Sequence, residues 1–244
     1  LASSSAASDV YKRQKLIFSE ICIKNYHWDD KLPEDVSTKW DKWRSALAIH
    51  NTVTVPRSVC TTSGSTFELH GFADASKYAV CAAIYVVEYK MDMPVSQNLL
   101  VAKSRVAKPF NIPRLELIAA LTLAKLQTNV ISALDNPRVR DFHYWSDSTT
   151  VLHWLADRGT WSVFVRNRAN KINELSHGKW RYVPTTDNPS DLGTRGIPPV
   201  KLGDLWFKGP SWLPDRDNWP EQPEIVETND ALTEKVKPKL KCTS

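Results

Sequence analysis

Closely spaced cysteines are absent from this sequence. Its four cysteines lie far apart and lack the Cys/His spacing of a zinc site, at Cys22, Cys60, Cys81 and Cys242. Small secreted domains that are held together by disulfides are much denser in cysteine, so a disulfide framework is not indicated. A reducing compartment fits this composition best.

Long apolar runs are missing as well. The longest run, Tyr78–Val87, is far shorter than the roughly 20 residues that a membrane-spanning helix needs. No basic and then apolar leader precedes it. We therefore expect a soluble, intracellular protein that does not bind a membrane.

Positive charge is only slightly in excess. The chain has 32 Lys and Arg residues against 27 Asp and Glu residues, which gives a formal net charge of +5. This balance permits attraction to a polyanion such as nucleic acid without requiring it. The length of 244 residues, of which 42% are hydrophobic, is enough for one sizeable core with flanking segments.

The first sixty residues do not carry the main fold pattern. Residues 1–14 are rich in Ser and Ala and look like read-through from a cloning adapter, so we predict them to be adapter-derived or disordered. Residues 15–60 are rich in Trp and charge, with a helical pattern around Trp40 and Trp43 and a strand pattern at Val53–Arg57. They predict a connecting subdomain.

Residues 61–196 carry the pattern of one α/β domain. Alternating and β-branched runs predict strands, and helical spacing of apolar residues predicts helices. The predicted order is β-β-β-α-β-α-α-β-α, with strands at Phe67–Asp74, Tyr78–Tyr89, Leu99–Val106, Asp141–Asp147 and Lys179–Val183 and with helices at Pro113–Leu134, Thr149–Asp157, Ser162–Leu175 and around Asp191. The first three strands, joined by short turns, indicate an antiparallel meander.

The composition changes after Gly196. Residues 197–244 are rich first in Pro and Trp and then in charge. Because the charged part has few apolar residues to bury, we predict a linker followed by a mobile tail.

Four acidic residues stand beside apolar runs at the ends of predicted elements. They occur in the motifs GFADAS, PRLELIAA, YWSDST and NPSDLGTRG, as Asp74, Glu116, Asp147 and Asp191. Carboxylates are rarely buried without a partner, and convergent carboxylates offer the oxygen ligands that Mg²⁺ prefers. A pair of such ions about 3.5–4 Å apart can drive hydrolysis of a phosphodiester.

Each acid also has a simpler explanation when it is taken alone. Asp74 and Asp147 are typical strand-end turn residues, and Glu116 and Asp191 complement the dipoles of their helices. The four acids together, in this order of elements, favour the metal site.

The same motifs, in this order, resemble the ribonuclease H domain of BEL/Pao-type long-terminal-repeat retrotransposons, a family also described as Pao retrotransposon peptidases. The resemblance covers about residues 15–220. The segment WDDKLPEDVSTKWDKW resembles the part that follows the reverse transcriptase in such polyproteins, and WFKGPSWL resembles the stretch that leads toward the integrase.

The resemblance implies a three-layer ribonuclease H-like α/β fold, with a mixed five-stranded sheet whose first three strands are antiparallel. It implies hydrolysis of the RNA strand of RNA/DNA hybrids during reverse transcription, with two Mg²⁺ ions, or Mn²⁺, held by Asp74, Glu116, Asp147 and Asp191. Asp74 would bridge the two ions. The implied partners are the hybrid and the reverse transcriptase and integrase portions of the polyprotein, in a cytoplasmic virus-like particle or in the nucleus.

Substrate contacts are expected from polar residues beside the four acids, because a hybrid duplex is recognised mainly through its backbone and 2′-hydroxyls. The candidates are Ser76, Ser148, Thr149, Asn188 and Arg195. For Ser148, capping of the following helix is an equal alternative.

One departure from the family concerns a His that many relatives place shortly before the last acid. Here that turn is Thr185–Asn188, so no catalytic His is assigned. His143 and His177 lie nearby in sequence, but a lone His is more often a surface or packing residue.

Two other functions remain open. An aspartic peptidase needs two aspartates in Asp-Thr-Gly or Asp-Ser-Gly loops, and neither tripeptide occurs here. A non-catalytic nucleic-acid-binding fragment of a decayed element is the second alternative, against which the presence of all four acids argues.

Overall fold

The computed structural model of the chain describes residues 14–47, 64–134, 138–156, 159–195 and 203–236. Residues 1–13 and the predicted strand at Val53–Arg57 lie outside these ranges. The described cysteines, Cys22 and Cys81, are free thiols.

The centre of the molecule is a five-stranded sheet with strand order β3-β2-β1-β4-β5. Its strands are β1 (Thr66–Ala75), β2 (Ala79–Lys90), β3 (Met93–Val106), β4 (Val139–Ser146) and β5 (Trp180–Tyr182). The pairs β1–β2 and β2–β3 are antiparallel, and the pairs β1–β4 and β4–β5 are parallel. The predicted mixed sheet, with its first three strands antiparallel, is confirmed.

The helices between residues 34 and 195 follow the order that the sequence predicts, whereas one helix before them and two after them were not predicted. Residues 14–23 form α1, and the later helices are α2 (Glu34–Leu47), α3 (Ile112–Leu134), α4 (Thr149–Ala156), α5 (Val163–Leu175), α6 (Pro189–Arg195), α7 (Asp204–Phe207) and α8 (Asn229–Thr233). Short 3-10 turns lie at Thr185–Asp187 and Arg216–Asn218.

Helices cover both faces of the sheet and make three layers. On one face, Leu115 and Leu123 of α3 are buried against β1 and β2. On the other face, α6 and the segment after it bury Trp206 and Leu213 against the same strands. Because both faces are covered, β2 is buried along almost its whole length.

Strand β3 begins at Met93, whereas the sequence predicted its start at Leu99. The intervening polar residues, which look like a turn, have partners in the sheet. The Ser96 hydroxyl donates to Glu88, and the Gln97 side-chain amide donates to the carbonyls of Lys208 and Pro210. Satisfied hydrogen bonds therefore extend the strand through a polar stretch.

Helix α3 is the one helix in the described ranges that is long and apolar enough to cross a membrane by length and composition. No long unbroken apolar run marks this helix in the sequence, because polar residues interrupt it. Its buried residues pack against β1, β2 and α5. This packing accounts for its apolar composition.

The sequence predicts a linker after Gly196 and a mobile tail from Glu221, but residues 203–236 include side chains that pack against the rest of the molecule. Three apolar side chains of this segment are buried against other elements. Trp206 and Leu213 are buried on the sheet, and Ala231 is buried beside α3, α4 and α5. The Tyr85 hydroxyl donates to the Trp206 carbonyl at 2.8 Å. Residues 237–244 lie outside the described ranges.

Candidate active site

Parallel pairing of β1 and β4 brings two of the four acids side by side. Ala73 of β1 is in register with Ser146 of β4, so the next residues, Asp74 and Asp147, are neighbours at the carboxyl ends of the two strands. The carboxyl ends of parallel strands are where ligand sites of α/β folds commonly form.

The third acid, Glu116, reaches this place from α3, directly after the first turn of that helix. The hydroxyl of Ser148 donates to the Glu116 carboxylate at 2.5 Å, and the same hydroxyl accepts from the Val151 backbone amide. Ser148 therefore caps α4 and holds Glu116 beside Asp147 at once. Ser148 thus has the helix-capping contact that was the alternative to a substrate contact.

The fourth acid, Asp191, comes from α6, which crosses the ends of β1 and β2. Gly193 permits this approach, because a Cβ there would lie 2.4 Å from the Cys81 sulfur. The Asp191 charge is close enough to raise the pKa of both Asp74 and Asp147. The structure thus brings all four predicted acids to one region.

Burial dominates the electrostatics of this region. Burial first, and then the Asp147 charge, raises the pKa of Asp74 to about 6. Burial likewise raises the pKa of Glu116 to about 7, with added repulsion from Asp147 and Asp74. Burial also raises the pKa of Asp147. Carboxylates that are buried or partly buried so close together disfavour their own ionised forms, so the donor set fits hard divalent ions.

Neighbouring polar groups fix the directions of these carboxylates. Thr194 donates to Asp74 at 2.6 Å, and the side-chain amide of Asn188 donates to Asp147 at 3.1 Å and to the Ala73 carbonyl at 3.1 Å. Thr194 was not among the residues that the sequence predicted. Its spacing of three residues after Asp191, on one helix face, is the available signal.

The predicted substrate contacts have other partners in the structure. Ser76 accepts from the Ala79 amide and donates to the Thr194 carbonyl, which shapes the turn between β1 and β2. Arg195 is exposed and forms an ion pair with Asp191 at 2.7 Å. Thr149 is the first residue of α4 and is partly buried. Their roles toward substrate stay predictions.

A second group of titratable residues, which the sequence analysis missed, lies farther back on β1 and β4. In the described ranges, Glu68, His70 and His143 form a buried group whose nearest nitrogen and oxygen atoms all lie within 4.8 Å. The Nε2 atoms of His70 and His143 lie 3.6 and 3.5 Å from one carboxylate oxygen of Glu68. This spacing alone would suit a metal ion.

The other ring nitrogens of this group do not fit a metal. Trp145 donates to Nδ1 of His70 at 3.4 Å, and Arg181 donates to Nδ1 of His143 at 3.3 Å. In a neutral imidazole an accepting Nδ1 leaves the proton on Nε2. A metal-binding His instead needs a free lone pair on that atom and an acceptor for its other N–H.

We therefore interpret this group as a polar network under the C-terminal segment. Arg216 donates to Glu68 at 2.7 Å, and the ring of Trp219 lies edge-on to both histidines. Burial disfavours the Glu68 charge, but its contacts with His143, His70 and Arg216 outweigh burial and hold the pKa of Glu68 well below its usual range. Burial lowers the pKa of His70 to about 4, so this ring is neutral near pH 7.

Several solved structures resemble the chain at low sequence identity. They include ribonuclease H1 from the archaeon Halobacterium salinarum, at 15% identity over 51% of this chain and 90% of that chain, with a TM-score of 0.34. LC11-RNase H1, isolated from compost by a metagenomic approach, has 13% identity over 57% and 99% of the two chains and a TM-score of 0.37. The foamy viral protease-reverse transcriptase in complex with RNA/DNA hybrid has 13% identity over 72% and 27%, with a TM-score of 0.31.

At these identities and TM-scores the likenesses carry no argument about activity, and the fold rests on the strand topology. No curated protein matches the chain. The sequence model of one family, described as the Pao retrotransposon-like RNaseH-like domain, matches residues 4–148. This match covers more than half of the chain and includes Asp74, Glu116 and Asp147. The chain therefore belongs to the Pao retrotransposon-like RNaseH-like domain family.

Proposed function

We propose that this chain is a metal-dependent endonuclease that hydrolyses the RNA strand of RNA/DNA hybrids during reverse transcription of a retrotransposon. One observation carries the proposal: β1, β4, α3 and α6 bring four carboxylates together beside the carboxyl ends of β1 and β4. Burial raises the pKa of Asp74 to about 6 and that of Glu116 to about 7. Burial of carboxylates costs free energy of folding, and such perturbed pKa values cluster at functional sites.

The ligands of the proposed site are Asp74, Glu116, Asp147 and Asp191. Two Mg²⁺ or Mn²⁺ ions, when bound, would supply activation of a water molecule and stabilisation of the leaving oxygen of a phosphodiester. The chain's own contribution is to hold the carboxylates in place. Ser148 orients Glu116, Thr194 orients Asp74 and Asn188 orients Asp147.

The proposed partners follow from the family to which the chain belongs. They are the hybrid duplex and the reverse transcriptase and integrase portions of one polyprotein, with a virus-like particle in the cytoplasm as the proposed place of action. Substrate contacts would fall on exposed polar groups around the acids. Arg195 has a side chain that is 63% exposed and pairs with Asp191 through Nε. Its other guanidinium nitrogens would contact a phosphate of the substrate.

The test uses the full chain and an RNA/DNA hybrid with a different label on each strand, at low salt so that phosphate contacts are strong. We expect internal cuts in the RNA strand with Mg²⁺ or Mn²⁺, none with a chelator, and an intact DNA strand. An RNA duplex and a DNA duplex of the same sequence are the controls.

Two outcomes would contradict the proposal. Binding of the hybrid without cutting in either metal would favour a non-catalytic nucleic-acid-binding fragment. Cutting that persists in chelator, or that spares the RNA strand, would contradict the proposed chemistry.

A further inference from the structure

A partly buried ion pair joins the C-terminal segment to the helix that carries Glu116. The carboxylate of Glu234 is only 5% exposed and accepts two parallel hydrogen bonds from the Arg114 guanidinium, at 2.5 and 3.0 Å. Bidentate pairs of this kind are among the strongest and most directional contacts in proteins. Arg114 lies in the first turn of α3, two residues before Glu116.

The same carboxylate also reaches α5. The hydroxyl of Ser162, which is the N-cap of α5, donates to Glu234, and the Ser162 backbone amide donates to the Glu234 carbonyl at 2.7 Å. The Arg114 guanidinium stacks over the ring of Phe164 in the first turn of that helix, at 4.6 Å. Glu234 thus ties the N-terminal ends of α3 and α5 together.

A third contact ties this segment to α4. The hydroxyls of Thr228 and Thr150 are hydrogen-bonded at 2.8 Å, and Thr150 is two residues from Ser148, which holds Glu116. Between these contacts, Ala231 is fully buried in a cluster that includes Leu117 of α3. Residues 228–236 therefore contact the N-terminal ends of α3, α4 and α5, on the side of the site where Glu116 lies.

We infer that Glu234 is a positioning residue for the proposed metal site, because it fixes the first turn of α3 through Arg114, and Glu116 follows directly after that turn. This inference rests on the proposed function. Metal affinity depends steeply on how well the supporting contacts hold each ligand, and loss of one outer contact typically weakens binding 10–100-fold. Because Glu234 acts through Arg114 and the helix backbone, we place the effect near the lower limit.

The alternative is that the pair contributes only to stability. Metal affinity separates the two roles, so the experiment measures Mn²⁺ binding to the full chain by electron paramagnetic resonance, well below the unfolding temperature. Glu234→Ala should bind Mn²⁺ about 10-fold more weakly than the parent and need about 10-fold more Mn²⁺ for half-maximal cutting of the hybrid. Glu234→Gln, which keeps the shape and one acceptor oxygen, should lie between the two.

The matched control is Arg216→Met. Like Glu234→Ala, it breaks an ion pair that involves a buried carboxylate, in this case the carboxylate of Glu68. Glu68 lies six residues, roughly 20 Å, before Asp74 along β1. This variant should lose stability and keep the Mn²⁺ affinity of the parent. An Asp74→Asn variant defines which part of the Mn²⁺ signal belongs to the proposed site.

The outcomes are distinct. Weaker Asp74-dependent Mn²⁺ binding in Glu234→Ala and unchanged binding in Arg216→Met would support the inference. Parental Mn²⁺ affinity in a folded Glu234→Ala would overturn the inference and leave the proposed function intact. Equal weakening in Arg216→Met would also overturn it, because the effect would then follow stability. A parent without any Asp74-dependent Mn²⁺ binding would overturn both.

Discussion

Asp74→Asn is expected to lower the rate of RNA-strand cutting by about 1,000-fold or more, since a metal site supplies several kcal/mol of transition-state stabilisation. The substitution removes one charged oxygen from the centre of the carboxylate group and changes the volume of the side chain little. The hydrogen bond from Thr194 can still reach the remaining oxygen. The variant should therefore fold, and the measurement is the initial rate of cutting with saturating Mg²⁺.

Asp141→Asn is the matched control for this prediction. Asp141 is a half-exposed aspartate of β4, six residues before Asp147, and it pairs with Arg216 rather than with the proposed site. Its variant should cut at nearly the parental rate. Rates within a few-fold of one another for Asp74→Asn and Asp141→Asn would contradict the assignment of Asp74.

The metal-free protein should lose stability as the pH rises. Asp74 and Glu116 have folded-state pKa values of about 6 and about 7, above their ordinary values. The folded state therefore keeps protons that the unfolded state has released, and the stabilisation is lost as the pH rises through the two folded-state values. Between about pH 5 and about pH 8 we expect a loss on the order of 2–4 kcal/mol, because the two groups are coupled and their shifts do not simply add.

Urea unfolding in the presence of a chelator measures this loss. The double variant Asp74→Asn, Glu116→Gln has no such carboxylates and should show a much flatter dependence over the same range. Added Mg²⁺ should restore the stability of the parent at the higher pH, since it binds the folded state. An equal slope in the parent and the double variant, or a parent that gains stability with pH, would contradict the burial of these charges.

Most of the sheet could be predicted from the sequence because its signals are local. The alternation in β1 and the continuous apolar run of β2 predict strands, and Pro113 predicts the start of α3 to within one residue. Asp74 and Asp147 were selected because each stands at the end of such a strand. These signals depend on neighbours along the chain.

Contacts between distant segments could not be predicted in this way. His70 and His143 meet only because β1 and β4 pair in parallel with those two residues in register. The presence of Glu68 two residues before His70, on one strand face, is the only local sign of their network. The packing of Trp206 and the pairing of Glu234 with Arg114 depend on surfaces formed by residues far away in sequence.

The C-terminal segment packs against the rest of the molecule, which its composition did not predict. Composition predicted a linker and tail after Gly196, yet residues 203–236 cover one sheet face and contact α3, α4 and α5. A few well-placed apolar residues suffice when the receiving surface is already formed. The domain limits at residues 60 and 196 remain predictions.

We expect Asp74, Glu116, Asp147 and Asp191 together to hold two divalent cations. Anomalous X-ray scattering from crystals of the full chain with Mn²⁺ and a hybrid duplex tests this directly. We predict two Mn²⁺ peaks about 3.5–4 Å apart among these four carboxylates. Mn²⁺ at Glu68 and the two histidines instead, or carboxylates without Mn²⁺ under conditions that support cutting, would contradict it.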